Sequence, residues 1–362
     1  MKEIRVRLGI NSYNICIGSG VLMQIGQRLQ KLGFSGKLVI VTDPRVKSLY
    51  GEALRDRLAS EGFKVAMLEV PEGEEQKSLE TAVRLYHALS NFHVERTTPV
   101  LALGGGVIGD LTGFVAATYS RGVPLIQVPT TLLAQVDSSI GGKVAVNHEQ
   151  LKNKIGAFYQ PRLVISDIIT LKTLDTVELS NGLAEVIKYA VIRDRRLFTY
   201  LEKNFGEVRR LDEDVLECIV FNSARIKARI VERDERDLGL RNILNYGHTI
   251  GHAIESASDF KVGHGEAVAL GMIAAARISN EMGMLSEGEL VRLKNVIRTA
   301  GLPVEMPGLN LKRMIEAMEQ DKKILMGRIR FILPKAIGRV FITDKVEISL
   351  VEQVLAGFNE QT

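Results

Sequence analysis

Three of the chain's six histidines fall in one short stretch, NYGHTIGHAIESASDFKVGHGEAVALGM, residues 245–272. His248 and His252 are four apart, which puts both imidazoles on one face of a helix, and His264 follows Gly263 at the mouth of the next helical segment. Neutral imidazoles are common metal ligands, so the cluster points to a divalent cation, with zinc the natural candidate. Spacing alone selects His248 and His252 as the pair. HTIGH nevertheless lacks the glutamate of HExxH, and with it the general base of a zinc protease. The competing reading makes these histidines helix caps and polar pocket groups. Upstream, NGLAEVIKYA offers a further carboxylate, Glu185, with Lys188 three residues later on the same helix face; a solvated ion pair is the plainer alternative.

A second motif carries different chemistry. LALGGGVIGD satisfies GxGxxG through Gly104, Gly106 and Gly109, directly after a strand-like run and before the helical LTGFVAATY. Glycines there let backbone N–H groups approach a pyrophosphate, and the helix N-terminus adds partial positive charge. The acidic residue that the dinucleotide fingerprint places ~20 positions further on is missing between Pro124 and Thr131, so the motif alone does not separate a nucleotide site from a tight turn. Other polar loops follow strand-like runs: Asp43 after VIVT, Glu72 to Lys77 after VAMLEV, and Thr130 with Thr131 after LIQVP. Loops that converge at the carboxyl edge of one parallel sheet favour a nucleotide.

The elements that must position these residues divide into two grammars. From Gly36 to about Asp167, short β-branched runs alternate with helix-length segments, the pattern of a parallel sheet covered by helices. Beyond about Thr173 the apolar spacing becomes helical, with only RIRFILP and GRVFITD resembling strands. We therefore expect an α/β nucleotide-binding domain over 1–174 and a mainly helical metal- and substrate-binding domain over 175–362. A chain of 362 residues is long enough for two, since single cores stop growing at roughly 250 to 300 residues.

Composition narrows the classes. A hydrophobic fraction of 46% beside 25% charged residues describes a globular protein rather than a disordered one. No run approaches the ~20 apolar residues of a membrane span, and the strand-like start lacks the apolar core of a signal peptide. Cys16 and Cys218, two thiols far apart, fit a reducing cytoplasm better than a disulfide framework. The net charge of +4 is too small and too dispersed to argue for nucleic acid.

In the order GGGVIGD, PTTLLAQVDSSIGGKVAVN, NGLAEVIKYA, LNYGHTIGHAIE and HGEAVALGM, the chain closely resembles the 3-dehydroquinate synthase family, and the similarity runs over essentially its whole length. The resemblance implies a dehydroquinate synthase-like fold that binds NAD and one divalent metal, Zn2+ or Co2+, between two domains. It implies Glu185, His248 and His264 as metal ligands, with His252 facing substrate. For NAD it implies Asp43, Glu72, Gly73, Glu74, Glu75, Gln76, Lys77, Gly106, Val107, Ile108, Gly109, Asp110, Thr130, Thr131, Lys143, Lys152, Thr170, Leu171, Lys172 and Thr173.

The implied substrate is a phosphorylated seven-carbon keto acid, 3-deoxy-D-arabino-heptulosonate 7-phosphate. Asp137, Lys143, Lys188, Asn245 and His252 match its catalytic residues, and Asn153, Lys227 and Arg241 match its binding residues, with Lys322 or Lys323 less securely placed. Arg121 matches a residue that reaches a neighbouring subunit, implying a homodimer. The implied reaction oxidises the substrate transiently, eliminates phosphate, restores the hydride and closes a carbocycle, with no net redox change. Val144, Glu149 and Leu151 depart from the family's usual residues near Lys152 and Asn153. Rival readings are a sister sugar-phosphate cyclase and a metal-dependent NAD(P) alcohol dehydrogenase. The first gives Arg241 no carboxylate to bind, and the second would consume NAD stoichiometrically.

Overall fold

The computed structural model describes residues 1–149, 151–306, 308–320 and 329–358. Its chain forms two compact units, Met1–Leu174 with Glu213–Arg236, and Asp175–Asp212 with Asp237–Thr362. This differs from a single seam after residue 174, because the helix Glu213–Arg233 groups with the first unit. Its apolar face, including Val215, Leu216, Ile219 and Val220, is buried, and it packs on the first two strands.

In the first unit, β1 (Lys2–Val6), β2 (Tyr13–Gly18), β3 (Lys37–Thr42), β4 (Lys64–Glu69), β5 (Val100–Gly104), β6 (Leu125–Pro129) and a strand at Leu163–Asp167 make one sheet. Between the last two lies a separate antiparallel hairpin, β7 (Lys143–His148) and β8 (Leu151–Phe158), so Leu163–Asp167 is β9. The sheet order is β1-β2-β9-β6-β5-β3-β4. Only β1 runs antiparallel to its neighbour. The α/β class expected from the alternating pattern is what the chain adopts. Strands β5, β6 and β9 are buried along their whole length, which is why they read as continuous apolar runs rather than alternating ones. Val144 of the hairpin seats on Gly113, where a Cβ would lie 2.3 Å from its Cγ1.

The second unit is mainly helical, with Thr176–Arg193, Arg195–Arg209, His248–Ala257, His264–Glu281, Glu287–Thr299, Leu311–Gln320 and Ile348–Ala356. Its two strands, β10 (Phe331–Ala336) and β11 (Arg339–Thr343), pair antiparallel where the sequence resembled strands. Asp175 caps the first helix by accepting from Glu178 N, and Asp194 caps the next by accepting from Arg196 N and Leu197 N.

Three glycines set the spacing of the histidine-bearing helices. A Cβ on Gly271 would lie 1.9 Å from Gly247 O, one on Gly247 would lie 2.8 Å from Val268 O, and one on Gly251 would lie 3.0 Å from Ala267 O. The backbones of His248–Ala257 and His264–Glu281 therefore approach almost to contact. Gly265 does the same against Thr176–Arg193, since its Cβ would stand 2.5 Å from Asn181 Cα.

Candidate metal centre and nucleotide edge

Close helix packing in the second unit brings one carboxylate and two imidazoles to a point. Ligand atoms of Glu185, His248 and His264 all lie within 4.8 Å of one another. Glu185 is 1% exposed, so its carboxylate is held inside the unit rather than offered to solvent. Its Oε1 is 3.4 Å from His248 Nε2 and 3.8 Å from His264 Nε2. Lys188 Nζ lies directly against Oε2, so the Glu185–Lys188 pair is buried and not the solvated pair of the plainer reading.

Each imidazole has its other nitrogen engaged. His248 Nδ1 is 3.2 Å from Tyr246 O, and His264 Nδ1 is 3.2 Å from Glu255 Oε1. These contacts orient the rings so that both Nε2 atoms face Glu185, as outer partners do around metal-binding histidines. Tyr246 is itself buried and donates its hydroxyl to Met272 O at 3.0 Å, fixing the turn that precedes His248. Burial, followed by the charge of Lys188 and the neighbouring histidines, pushes the His248 imidazole far below its usual range, so it is neutral as a ligand must be. Burial also opposes the charged form of His264, but the Glu255 hydrogen bond and the charges of Glu185 and Glu255 outweigh it and raise this imidazole.

One carboxylate and two neutral-capable imidazoles form a borderline donor set suited to Zn2+ or Co2+, and three protein ligands leave further positions open to a substrate. His252 stands outside this group. It is exposed one turn along the helix, its ring edge-on to His248 with centroids 5.5 Å apart. The i, i+4 spacing that paired these two residues thus brings their rings together without making His252 a third converging donor. Asn245 is exposed and Arg241 is 3% exposed, both on the short helical turn Leu240–Asn245 that leads into the histidines.

In the first unit, the parallel strands bring the expected nucleotide residues to one edge. Asp43 follows β3, Glu72–Lys77 follow β4, Gly106–Asp110 follow β5, Thr130 and Thr131 follow β6, and Thr170–Thr173 follow β9. The helix Gly106–Thr118 starts at Gly105 with no side chain capping its first turn, which leaves backbone donors open for a phosphate. Gln135 ties two of the loops together, its Nε2 donating to Asp167 O at 2.9 Å and to Thr170 Oγ1 at 3.1 Å.

The hairpin is fastened to the same edge. Lys77, 5% exposed, donates to Asp110 Oδ2 at 2.6 Å and to Asn153 Oδ1 at 2.5 Å. Asn147 Nδ2 donates to Glu74 Oε1 at 2.9 Å, and Asn147 Oδ1 accepts from Asn153 N at 3.0 Å. Burial raises the Asp110 carboxyl above its usual range, a rise that the Lys77 ammonium opposes. Asp137 sits in the π-helical turn Ala134–Ser138, and buried Lys227 reaches both its Oδ1, at 2.9 Å, and its carbonyl oxygen, at 2.8 Å. Lys143 and Lys152 are exposed on the hairpin. Arg121 is exposed in a left-handed turn, with φ of 49° at Ser120, 66° at Arg121 and 119° at Gly122. Lys322 and Lys323 lie outside the described residues.

Sequence reasoning missed Glu255, although a signal was present: it lies seven residues after His248, on the same helix face. It also missed the Lys77–Asp110 pair as a structural tether, because the two are 33 residues apart.

Two family models match the chain, 3-dehydroquinate synthase N-terminal over residues 67–181 and 3-dehydroquinate synthase C-terminal over residues 182–324. The chain is 51% identical to the 3-dehydroquinate synthase of Desulforamulus reducens, over 98% of this chain and 100% of that one. Among solved structures, the 2-epi-5-epi-valiolone synthase ValA of Streptomyces hygroscopicus subsp. jinggangensis, with NAD+ and Zn2+ bound, matches with a TM-score of 0.89 at 30% identity, covering 97% of both chains. A 2-deoxy-scyllo-inosose synthase complexed with carbaglucose-6-phosphate, NAD+ and Co2+ matches with a TM-score of 0.88 at 26% identity, covering 98% of this chain and 99% of that one.

Proposed function

The chain belongs to the 3-dehydroquinate synthase family, and on that premise we propose that it converts 3-deoxy-D-arabino-heptulosonate 7-phosphate to 3-dehydroquinate and phosphate, using NAD and a divalent metal. The observation that carries this reading is the convergence of Glu185 Oε1 with the Nε2 atoms of His248 and His264, each ring oriented through its other nitrogen. Glu185, His248 and His264 hold Zn2+ or Co2+, and the loops after β3, β4, β5, β6 and β9 hold NAD. When bound, the metal polarises a substrate hydroxyl and NAD takes up and returns one hydride, so the enzyme is a phosphate-eliminating lyase with no net redox change.

The chain's own residues do the remaining work. Backbone donors of the uncapped first turn at Gly106–Asp110 bind the cofactor pyrophosphate, with Thr130, Thr131 and the Glu72–Lys77 loop around it. Lys188, buried beside Glu185, places a cation where negative charge grows on substrate oxygen. Arg241 and Asn245 bind the substrate carboxylate, a task that suits a guanidinium held almost wholly out of water. Lys143, Asn153 and Lys227 with Asp137 receive the phosphate end, where cations steady a leaving dianion. His252, exposed and outside the converging triad, moves a proton at the same stage.

Arg121, exposed on its left-handed turn, contributes to the site of a second copy in a homodimer; residues held in that backbone region often serve recognition. Free thiols at Cys16 and Cys218 support a cytoplasmic location. No helix among the described residues is long and apolar enough to cross a membrane.

The deciding assay adds the heptulosonate phosphate to zinc-loaded, NAD-saturated protein and follows phosphate and NADH together. Stoichiometric phosphate with no accumulating NADH is expected. Accumulating NADH would support a dehydrogenase, and absence of phosphate release would defeat the reading.

A further inference from the structure

The sheet has a second edge that the proposed reaction leaves unused. Strands β2, β9, β6 and β5 are parallel, so their amino ends lie together, opposite the edge from which the nucleotide loops leave. A strand of five residues separates the two edges by roughly 16 Å. At the amino edge is a cavity of about 820 Å³. That is within the ~300–1,000 Å³ typical of small-molecule pockets.

We propose that this cavity is a binding site for a small organic polyanion, of the class of phosphorylated or polycarboxylated metabolites. Its lining presents Arg5, Arg28, Lys31, Arg96 and Arg162 against a single carboxylate, Glu3. The resulting net charge of +4 equals the excess of the entire chain, so the rest of the chain is balanced and the imbalance is gathered here.

Part of the lining is preorganised. Arg5 Nη1 donates to Asn14 Oδ1 at 2.8 Å, Asn14 Nδ2 donates to Glu3 Oε1 at 3.1 Å, and Arg28 Nη1 lies 3.5 Å from the same Glu3 oxygen. The Arg28 Nε is buried with no hydrogen-bond partner among the described residues. Lys31, Arg96 and Arg162 pair with no carboxylate among the described residues, which leaves three cations free for a ligand. One feature opposes an anion: the helix Ile25–Lys31 points its C-terminus at the cavity. A helix end carries only about half a negative charge, and its last carbonyls already accept from Leu32 N, so the cations dominate. The concave arrangement of the cations suits a compact ligand rather than the extended backbone of a nucleic acid.

The test titrates inorganic pyrophosphate into full-length, zinc- and NAD-loaded protein by calorimetry, comparing the parent with an Arg96→Glu, Arg162→Glu double variant whose lining is neutral. Any pyrophosphate bound at the reaction site is common to both proteins and cancels. The parent is expected to show a binding event that weakens as KCl rises, and the double variant to lose it or bind at least tenfold more weakly, with turnover within twofold of the parent. Should the glutamates impair folding, Arg96→Gln with Arg162→Gln makes the same comparison. Equal binding by parent and variant, or no binding by the parent at low salt, overturns the proposal.

Discussion

The metal triad and the nucleotide edge are positioned by opposite means. In the second unit the triad's geometry comes from backbone against backbone, with Gly247, Gly251, Gly265 and Gly271 removing the side chains that would hold the helices apart. In the first unit the loops leave parallel strands at one edge and are then fastened by side chains, Lys77 to Asp110 and Asn153, Asn147 to Glu74, and Gln135 to the end of β9. The first device has almost no slack, because a methyl group has nowhere to go in close-packed protein. The second is distributed, so losing one bond weakens the arrangement by degrees. A triad that must hold three donors at one point uses the stiff device, and loops that receive a large cofactor use the graded one.

The largest effect should come from breaking the stiff device. Gly271→Ala sets a Cβ at 1.9 Å from Gly247 O, so the helices must separate. Overpacking of this kind costs about 1–3 kcal/mol or more. We expect loss of bound zinc by elemental analysis and turnover reduced by roughly 1,000-fold or more, the equivalent of several kcal/mol of lost metal catalysis. Full zinc occupancy and normal turnover would show that backbone contact does not set the triad.

His252→Ala sharpens the comparison within the same helix. It should retain zinc while turnover falls by about 100- to 10,000-fold, the usual range for removing a proton-transfer group. Zinc loss with this variant would make His252 a ligand after all. Glu255→Gln acts one step away from the triad. It removes the charge beside His264 Nδ1, and zinc affinity, measured by competition with a chelator, should drop roughly 10- to 100-fold with the fold intact.

On the graded side, Lys77→Met cuts two tethers at once. NAD affinity by calorimetry should weaken about tenfold, the equivalent of one or two modest hydrogen bonds, while zinc content stays unchanged. Complete loss of folding would mean that the edge is as brittle as the triad. The smallest effect concerns Cys16, fully buried on β2, whose thiol is pushed up to about 12, chiefly by burial. Above about pH 9.0 the unfolded chain releases this proton and the folded chain does not, so stability is full below that pH and declines as pH rises toward 12. Denaturant titrations should show a shallower alkaline decline for Cys16→Ala than for the parent.

Much of this arrangement was legible in the sequence because it depends on local grammar. The buried parallel strands announced themselves as β-branched runs, and GGGVIGD marked the strand-to-helix turn because its glycines carry no side chain to cover the first-turn backbone donors. The histidine stretch was equally visible, but its spacing favoured His248 with His252, since helical periodicity reports which residues share a face and not which atoms converge from different helices. Convergence of Glu185, 63 residues from His248, depends on glycine contacts between helices that no local pattern encodes. The placement of Glu213–Arg233 was hidden for the same reason: an amphipathic helix shows that it has a buried face and is silent about what covers it.

That helix has a practical consequence for dissecting the protein. The polypeptide passes from one unit to the other three times, after Leu174, Asp212 and Arg236, so neither unit corresponds to an uninterrupted stretch of gene. A recombinant fragment ending at residue 174 would leave the surface normally covered by Val215, Leu216 and Ile219 open to water, and should aggregate rather than yield a soluble half. Isolating the nucleotide-binding half calls for splicing residues 213–236 back onto it through a designed linker.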